Sequence, residues 1–156
     1  MNRPRYLTTT VCAALNEAGA HYLVIGGIAC ILHGHVRATA DIDILIEQTP
    51  ENAARILDGL SKVGYGFASE WRPSEILAKP VTIIGDDPRV DVFTVAWSVK
   101  YADAVARASV VEVEGISVPL MGLEDLILTK KDTGRALDTA DVEVLEKIRQ
   151  KRAAKP

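Results

Sequence analysis

The stretch YLVIGGIACILHGHVRATADIDILIE, residues 22–47, decides how the rest of the chain is read. Tyr22 to Ile25 is a short apolar run that ends in Gly26-Gly27. Ile28 to Leu32 is apolar and predicts a short helix. Asp41-Ile42-Asp43-Ile44-Leu45-Ile46 then alternates. Side chains on a strand point to opposite faces in turn, so Asp41 and Asp43 project one way while Ile42, Ile44 and Ile46 project into a core. Two carboxylates held side by side repel, and a cation between them removes the conflict. Hard oxygen donors favour Mg²⁺, which completes its shell with water and substrate phosphates. The glycine pair fits the same scheme, because a backbone without Cβ lets a phosphate come close. The helix that follows would offer free N–H groups to the anion.

The chain has 156 residues, 48% of them apolar and 5% aromatic, with a net charge of −3. That length predicts one domain, residues 1–150, followed by a basic tail at 151–156. No overall basic field is present to attract a polyanion, so a nucleic-acid partner would need a local patch. Few aromatic rings argue against a single-strand stacking platform. Cys12 and Cys30 fall on apolar helix faces and read as buried free thiols in a reducing compartment. No apolar run approaches 18 residues, so no membrane role is expected, and the expected location is the cytoplasm.

Outward from the central stretch, Thr8 to Ala18 carries Val11, Ala14, Leu15 and Ala18 at helical spacing, with Gly19 as the stop. Thr49-Pro50 opens a second helix through an N-cap and a first-turn proline, and Ala53, Ile56, Leu57, Leu60 and Val63 form its stripe. Residues 65–79 are weakly patterned and read either as a lid over the site or as a surface connection with Trp71 packed down. Val81 to Ile84, a turn at Gly85-Asp86-Asp87-Pro88, and Val90 to Val95 predict a hairpin. Alternation sets Asp91 and Phe93 on one face and Val90 and Val92 on the other. An acid among β-branched neighbours suits either a site or a solvent-facing edge. Glu114-Gly115 joins two further strands that extend the sheet at an edge.

In the C-terminal helical part, Leu123, Leu126, Ile127, Val142, Leu145 and Ile148 point inward, and Lys130, Asp138 and Asp141 occupy slots of the same face. Buried charge needs a partner, so Lys130 either pairs with Asp138 or Asp141 or faces a cleft. Arg37 suits a bidentate hold on a phosphate or a pair with a surface acid. Thr39 reads as a turn residue. His33 and His35 flank Gly34 without a third ligand at metal spacing, and helix-end capping accounts for them.

Gly26-Gly27, Gly34, Arg37, Thr39 and Asp41-Ile42-Asp43 together resemble the signature of the DNA-polymerase-β-like nucleotidyltransferase superfamily. The stretch is most similar to small bacterial proteins related to the nucleotidyltransferase toxins of abortive-infection systems. Leu126 to Val142 and Asp91 extend the likeness over most of the chain. The resemblance implies an α/β (α+β) nucleotidyltransferase fold, a mixed twisted sheet flanked by helices with C-terminal helices beside the site. It implies Asp41, Asp43 and Asp91 as catalytic carboxylates and ligands of two Mg²⁺ ions. Gly26, Gly27, Arg37, Thr39 and Lys130 would bind the nucleotide. The activity implied is transfer of a nucleoside monophosphate from a nucleoside triphosphate to a hydroxyl, with pyrophosphate leaving and RNA or a protein as acceptor. The basic segment Lys147–Lys155 is the one patch suited to touch RNA. A non-catalytic nucleotide- or partner-binding module on the same fold is the alternative, and a drug-modifying transferase shares the chemistry. Oligomeric state is open.

Overall fold

The computed structural model describes residues 3–85 and 89–155. The expected turn residues Asp86, Asp87 and Pro88 lie outside them. The elements in chain order are α1 (Arg3–Glu17), β1 (Tyr22–Ile25), α2 (Gly26–Leu32), β2 (Ile42–Ile46), α3 (Pro50–Ser61), a 3₁₀ turn (Gly66–Glu70) and α4 (Pro73–Leu77). There follow β3 (Val81–Ile84), β4 (Val90–Phe93), α5 (Tyr101–Ala104), a second 3₁₀ turn (Val105–Arg107), β5 (Ser109–Val113), β6 (Ile116–Leu120), α6 (Leu123–Lys131) and α7 (Ala136–Ala153).

The strands form one mixed sheet in the order β3-β4-β2-β1-β6-β5. β1 and β2 run antiparallel, with Ile25 opposite Asp43. β2 and β4 run parallel, which needs a long crossover, and residues 47–89 supply it with α3 inside. β3 closes one edge against β4, and the β5–β6 hairpin forms the other, with β6 parallel to β1. The sheet is thus α/β with mixed strand directions, flanked by helices, as the resemblance implied.

Alternation explains β2. Ile42, Ile44 and Ile46 are buried and join the core that also holds Ile56 and Leu60 of α3 and Leu15 of α1. Each such burial stabilises the fold by roughly 1.5–3 kcal/mol. α3 begins where Thr49 accepts the Asn52 backbone N–H at 3.2 Å, with Pro50 in the first turn. Asn52 is wholly buried. Its side chain accepts from the His21 N–H at 2.7 Å and donates to the His21 and Glu47 carbonyls at 2.9 and 3.0 Å. One amide therefore ties the entry of β1 to the exit of β2. The sequence reading did not single it out, because Asn in a first turn usually faces solvent.

Several boundaries differ from expectation. β4 ends at Phe93, because the Thr94 N–H turns to the Pro80 carbonyl at 2.9 Å. Residues 65–79 fold as the 3₁₀ turn and α4 against α3, with the Lys79 ammonium 5.3 Å from the centre of the Trp71 ring. They form a surface connection, and none of their described side chains lines the cleft described below. α7 continues through Ala153, so part of the segment read as a tail is helix. No helix among the described residues is long and apolar enough to cross a membrane. Cys12 and Cys30 are buried free thiols, and burial pushes both up to about 11.

Candidate active site

Asp43 on β2 and Asp91 on β4 are direct partners in the parallel register, and Asp41 lies one residue before β2. The sheet therefore brings together three acids that the sequence holds as far as 50 positions apart. Asp91 is 8% exposed. Burial, then the nearby Asp91 charge and a hydrogen bond with it, raise the Asp43 carboxyl to about 7. Burial also raises Asp91, opposed by the Arg89 guanidinium. Two acids at one point of a buried surface cannot both shed their protons freely.

Arg89, which the sequence reading did not single out, is a cation in direct contact with these acids, and the Lys130 charge also acts on Asp43. Its Nη2 donates to Asp41 Oδ2 at 2.8 Å and to Asp91 Oδ2 at 3.2 Å. Its Nε stands 2.9 Å from Asp91 Oδ1. That last approach is a charge contact rather than an aligned hydrogen bond, since both atoms are buried without a hydrogen-bond partner. A buried carboxylate oxygen with no aligned donor is an open coordination position. The donor set is all oxygen, the chemistry a hard dication takes, although no group of three or more His, Cys, Asp or Glu among the described residues forms a ready metal cage. The residues suit a divalent ion once Arg89 moves aside.

Gly26 takes a left-handed backbone, φ +67°, and a Cβ there would overlap the Asp43 carboxylate. A Cβ on Gly27 would lie 2.8 Å from Thr39 Oγ1. The glycine pair thus makes room first for the chain's own side chains, with Asp43 seated on Gly26 and Thr39 on Gly27. Thr39 is therefore more than a turn residue. α2 starts without a side-chain cap.

Lys130 resolves toward the paired reading. Its Nζ lies 2.9 Å from Asp138 Oδ1 and 2.9 Å from Asp141 Oδ2. Arg37 also reaches Asp141 Oδ2, at 2.6 Å, and His35 Nε2 stands 3.0 Å from Asp141 Oδ1. Asp141 is a buried acid, so Arg37 pairs with a buried acid and not a surface one. Asp138 further accepts from Thr133 at 2.7 Å and from Arg135 at 2.6 Å. His33 bonds the Met121 carbonyl through Nε2 at 2.7 Å, and its Nδ1 faces the Arg152 guanidinium at 3.2 Å. Neither histidine is placed as a metal ligand. Both pin the segment after α2 onto the C-terminal helices.

These parts open on one cleft of about 370 Å³. Gly26, Gly27, Asp41, Asp43, Asp91 and Arg89 line it, together with Arg37, Thr39, Lys130, Thr133, Arg135 and Asp138. Val81, Ile83, Phe93, Trp97 and Leu137 make an apolar wall. All eight residues singled out from the sequence as a site therefore border the same space.

The fold is that of nucleotidyltransferase-like proteins. A solved antigenic nucleotidyltransferase-like protein of Paracoccidioides brasiliensis superposes with a TM-score of 0.64 at 16% identity, over 93% of this chain and 76% of that one. A candidate nucleotidyltransferase of Thermotoga maritima superposes with a TM-score of 0.54 at 20% identity, over 99% of this chain and 97% of that one. At such identities the likeness concerns the fold. The family model described as "Nucleotidyltransferase of unknown function (DUF6036)" matches residues 10–150, and the chain belongs to that family. No curated protein matches it.

Proposed function

We propose that the protein transfers a nucleoside monophosphate from a nucleoside triphosphate to a hydroxyl of an RNA or protein acceptor, releasing pyrophosphate. The observation that carries this reading is the convergence of Asp41, Asp43 and Asp91 on adjacent strands beside Gly26-Gly27. Two Mg²⁺ ions, held by these carboxylates, would neutralise the triphosphate and acidify the acceptor hydroxyl. Asp91, a buried acid whose carboxyl burial raises, accepts the hydroxyl proton as the bond to the α-phosphorus forms. Asp43 takes the space that the missing Cβ of Gly26 leaves open. Arg37, Lys130 and Arg135 line the same cleft and bind the phosphate oxygens, with Thr39 adding a hydroxyl. Arg89 leaves the acids and becomes a further phosphate donor. Nothing covalent is needed from the protein; orientation and charge supply the rate. The abortive-infection resemblance suggests a toxin–antitoxin setting in the cytoplasm.

The Arg89 contacts favour a second reading. An internal cation that already balances Asp41 and Asp91 suits a module that binds nucleotide or a partner without chemistry. The test offers purified protein each α-labelled nucleoside triphosphate with Mg²⁺, against bulk tRNA and cell extract. Label transfer by the native chain, abolished by Asp43→Ala, is the expected result. Nucleotide binding without transfer to any acceptor would establish the module instead.

A further inference from the structure

The apolar wall of the cleft has no part in the proposed phosphate chemistry, yet it is built at a cost. Trp97 is 45% exposed, and Val81, Ile83 and Leu137 beside it are 37%, 54% and 60% exposed. Large apolar side chains gathered at a cleft mark a surface meant to be covered. Trp97 also holds a left-handed backbone, φ +55°. It sits in a tight turn closed by reciprocal Ala96 and Val99 backbone bonds of 2.8 and 2.9 Å, where Gly or Asn is the residue of choice. A bulky residue in that conformation is strained, and such strain gathers at ligand sites. The turn directs the indole onto Phe93, with ring centres 6.1 Å apart and planes inclined by 29°. The Arg135 guanidinium lies 5.9 Å from the indole centre on a side chain that is otherwise largely exposed.

Phe93 follows Asp91 by two residues on the same face of β4. That is a step of about 6.6 Å along the strand, on the order of the span of a ribose. A flat aromatic surface therefore stands one sugar away from the acids that would meet the phosphates.

We propose that Phe93 and Trp97 form a shelf on which the base of the nucleoside triphosphate stacks, making Trp97 a determinant of donor binding. The inference rests on the triphosphate reading of the cleft given above. Arg135, tethered to Asp138 but two-thirds exposed, yields its place over the indole to the base and turns to the phosphates. Stacking of this kind tolerates any base, so the shelf sets affinity for a nucleotide over bare triphosphate more than it selects among bases.

The test compares calorimetric binding of the four nucleoside triphosphates, of inorganic tripolyphosphate and of a short RNA oligomer, all with Mg²⁺, to native protein, Trp97→Gly and Trp97→Phe. Glycine relieves the left-handed backbone, so Trp97→Gly unfolds at the same or a higher temperature, which separates loss of the ring from loss of the fold. The expected result is a loss of roughly 5- to 150-fold in nucleotide affinity for Trp97→Gly, recovery of most of it in Trp97→Phe, and no change for tripolyphosphate. Equal affinity of nucleotide and tripolyphosphate in native and Trp97→Gly protein would overturn the shelf while leaving the triphosphate site standing. Failure of native protein to bind either nucleotide or tripolyphosphate would overturn both. A loss confined to a short RNA oligomer, with nucleotide affinity intact, would assign the shelf to the acceptor and overturn its donor role.

Discussion

Asp43 is the residue on which the electrostatics of the site bear most heavily. Its carboxyl is raised from 3.8 to about 7 by burial and by Asp91, so the folded chain holds that proton more tightly than the unfolded one. Stability of the metal-free protein therefore falls as pH rises from about 4 through 7, and the loss is complete above 7. Denaturant titrations between pH 5 and pH 8 should show the native protein losing on the order of 2 kcal/mol, with the slope flattened in Asp43→Asn. Gly26→Ala should cost more than 2 kcal/mol at any pH, because its methyl needs both a left-handed backbone and the volume of the Asp43 carboxylate. A thermal melt measures it. Arg89 competes for the oxygens a divalent ion would use. Arg89→Ala should bind Mn²⁺ roughly tenfold more tightly, on the order of 1.4 kcal/mol, as read by paramagnetic resonance of the free ion.

At the scale of elements, legibility followed the range of the forces. The faces of β2 were readable because a period of two needs only neighbouring residues, and the helix at Thr49-Pro50 because its cap is local. Asp91 was readable as an acid out of place on a strand, while its partnership with Asp43 rested on resemblance. The links joining distant segments were not readable. Asn52 ties two strands together through backbone groups no pattern marks, and Arg89 follows a turn like any surface arginine. Arg37 and Lys130 meet on Asp141 across a separation of 104 residues for Arg37. That network fixes the segment after α2 to α6 and α7. Asp141→Ala leaves Arg37 without its acid and Lys130 with Asp138 alone, and should destabilise the protein by about 3 kcal/mol. Asp141→Asn should cost less. Equilibrium urea unfolding distinguishes them, and equal values would mean the charge network is not what holds the helices there.

For the whole molecule, one sheet carries two unlike surfaces. Its isoleucine face fixes the strands, and the acids stand on the other, in a cleft shared with basic groups and an aromatic wall. Composition pointed away from aromatic recognition, because an average over the chain hides two rings placed side by side at a cleft. The transfer proposed draws on the acids and the basic groups of that cleft, and the shelf adds the base to the same space. Calorimetric titration of native protein and Asp43→Asn with a non-hydrolysable nucleoside triphosphate, in Mg²⁺ and in chelator, tests this most directly. Native protein should bind the nucleotide only with the ion present, and Asp43→Asn should bind it at least 100-fold more weakly, about 2.7 kcal/mol. Equal binding by both proteins, or binding by the native chain that ignores the ion, would contradict a metal-dependent triphosphate site at these acids.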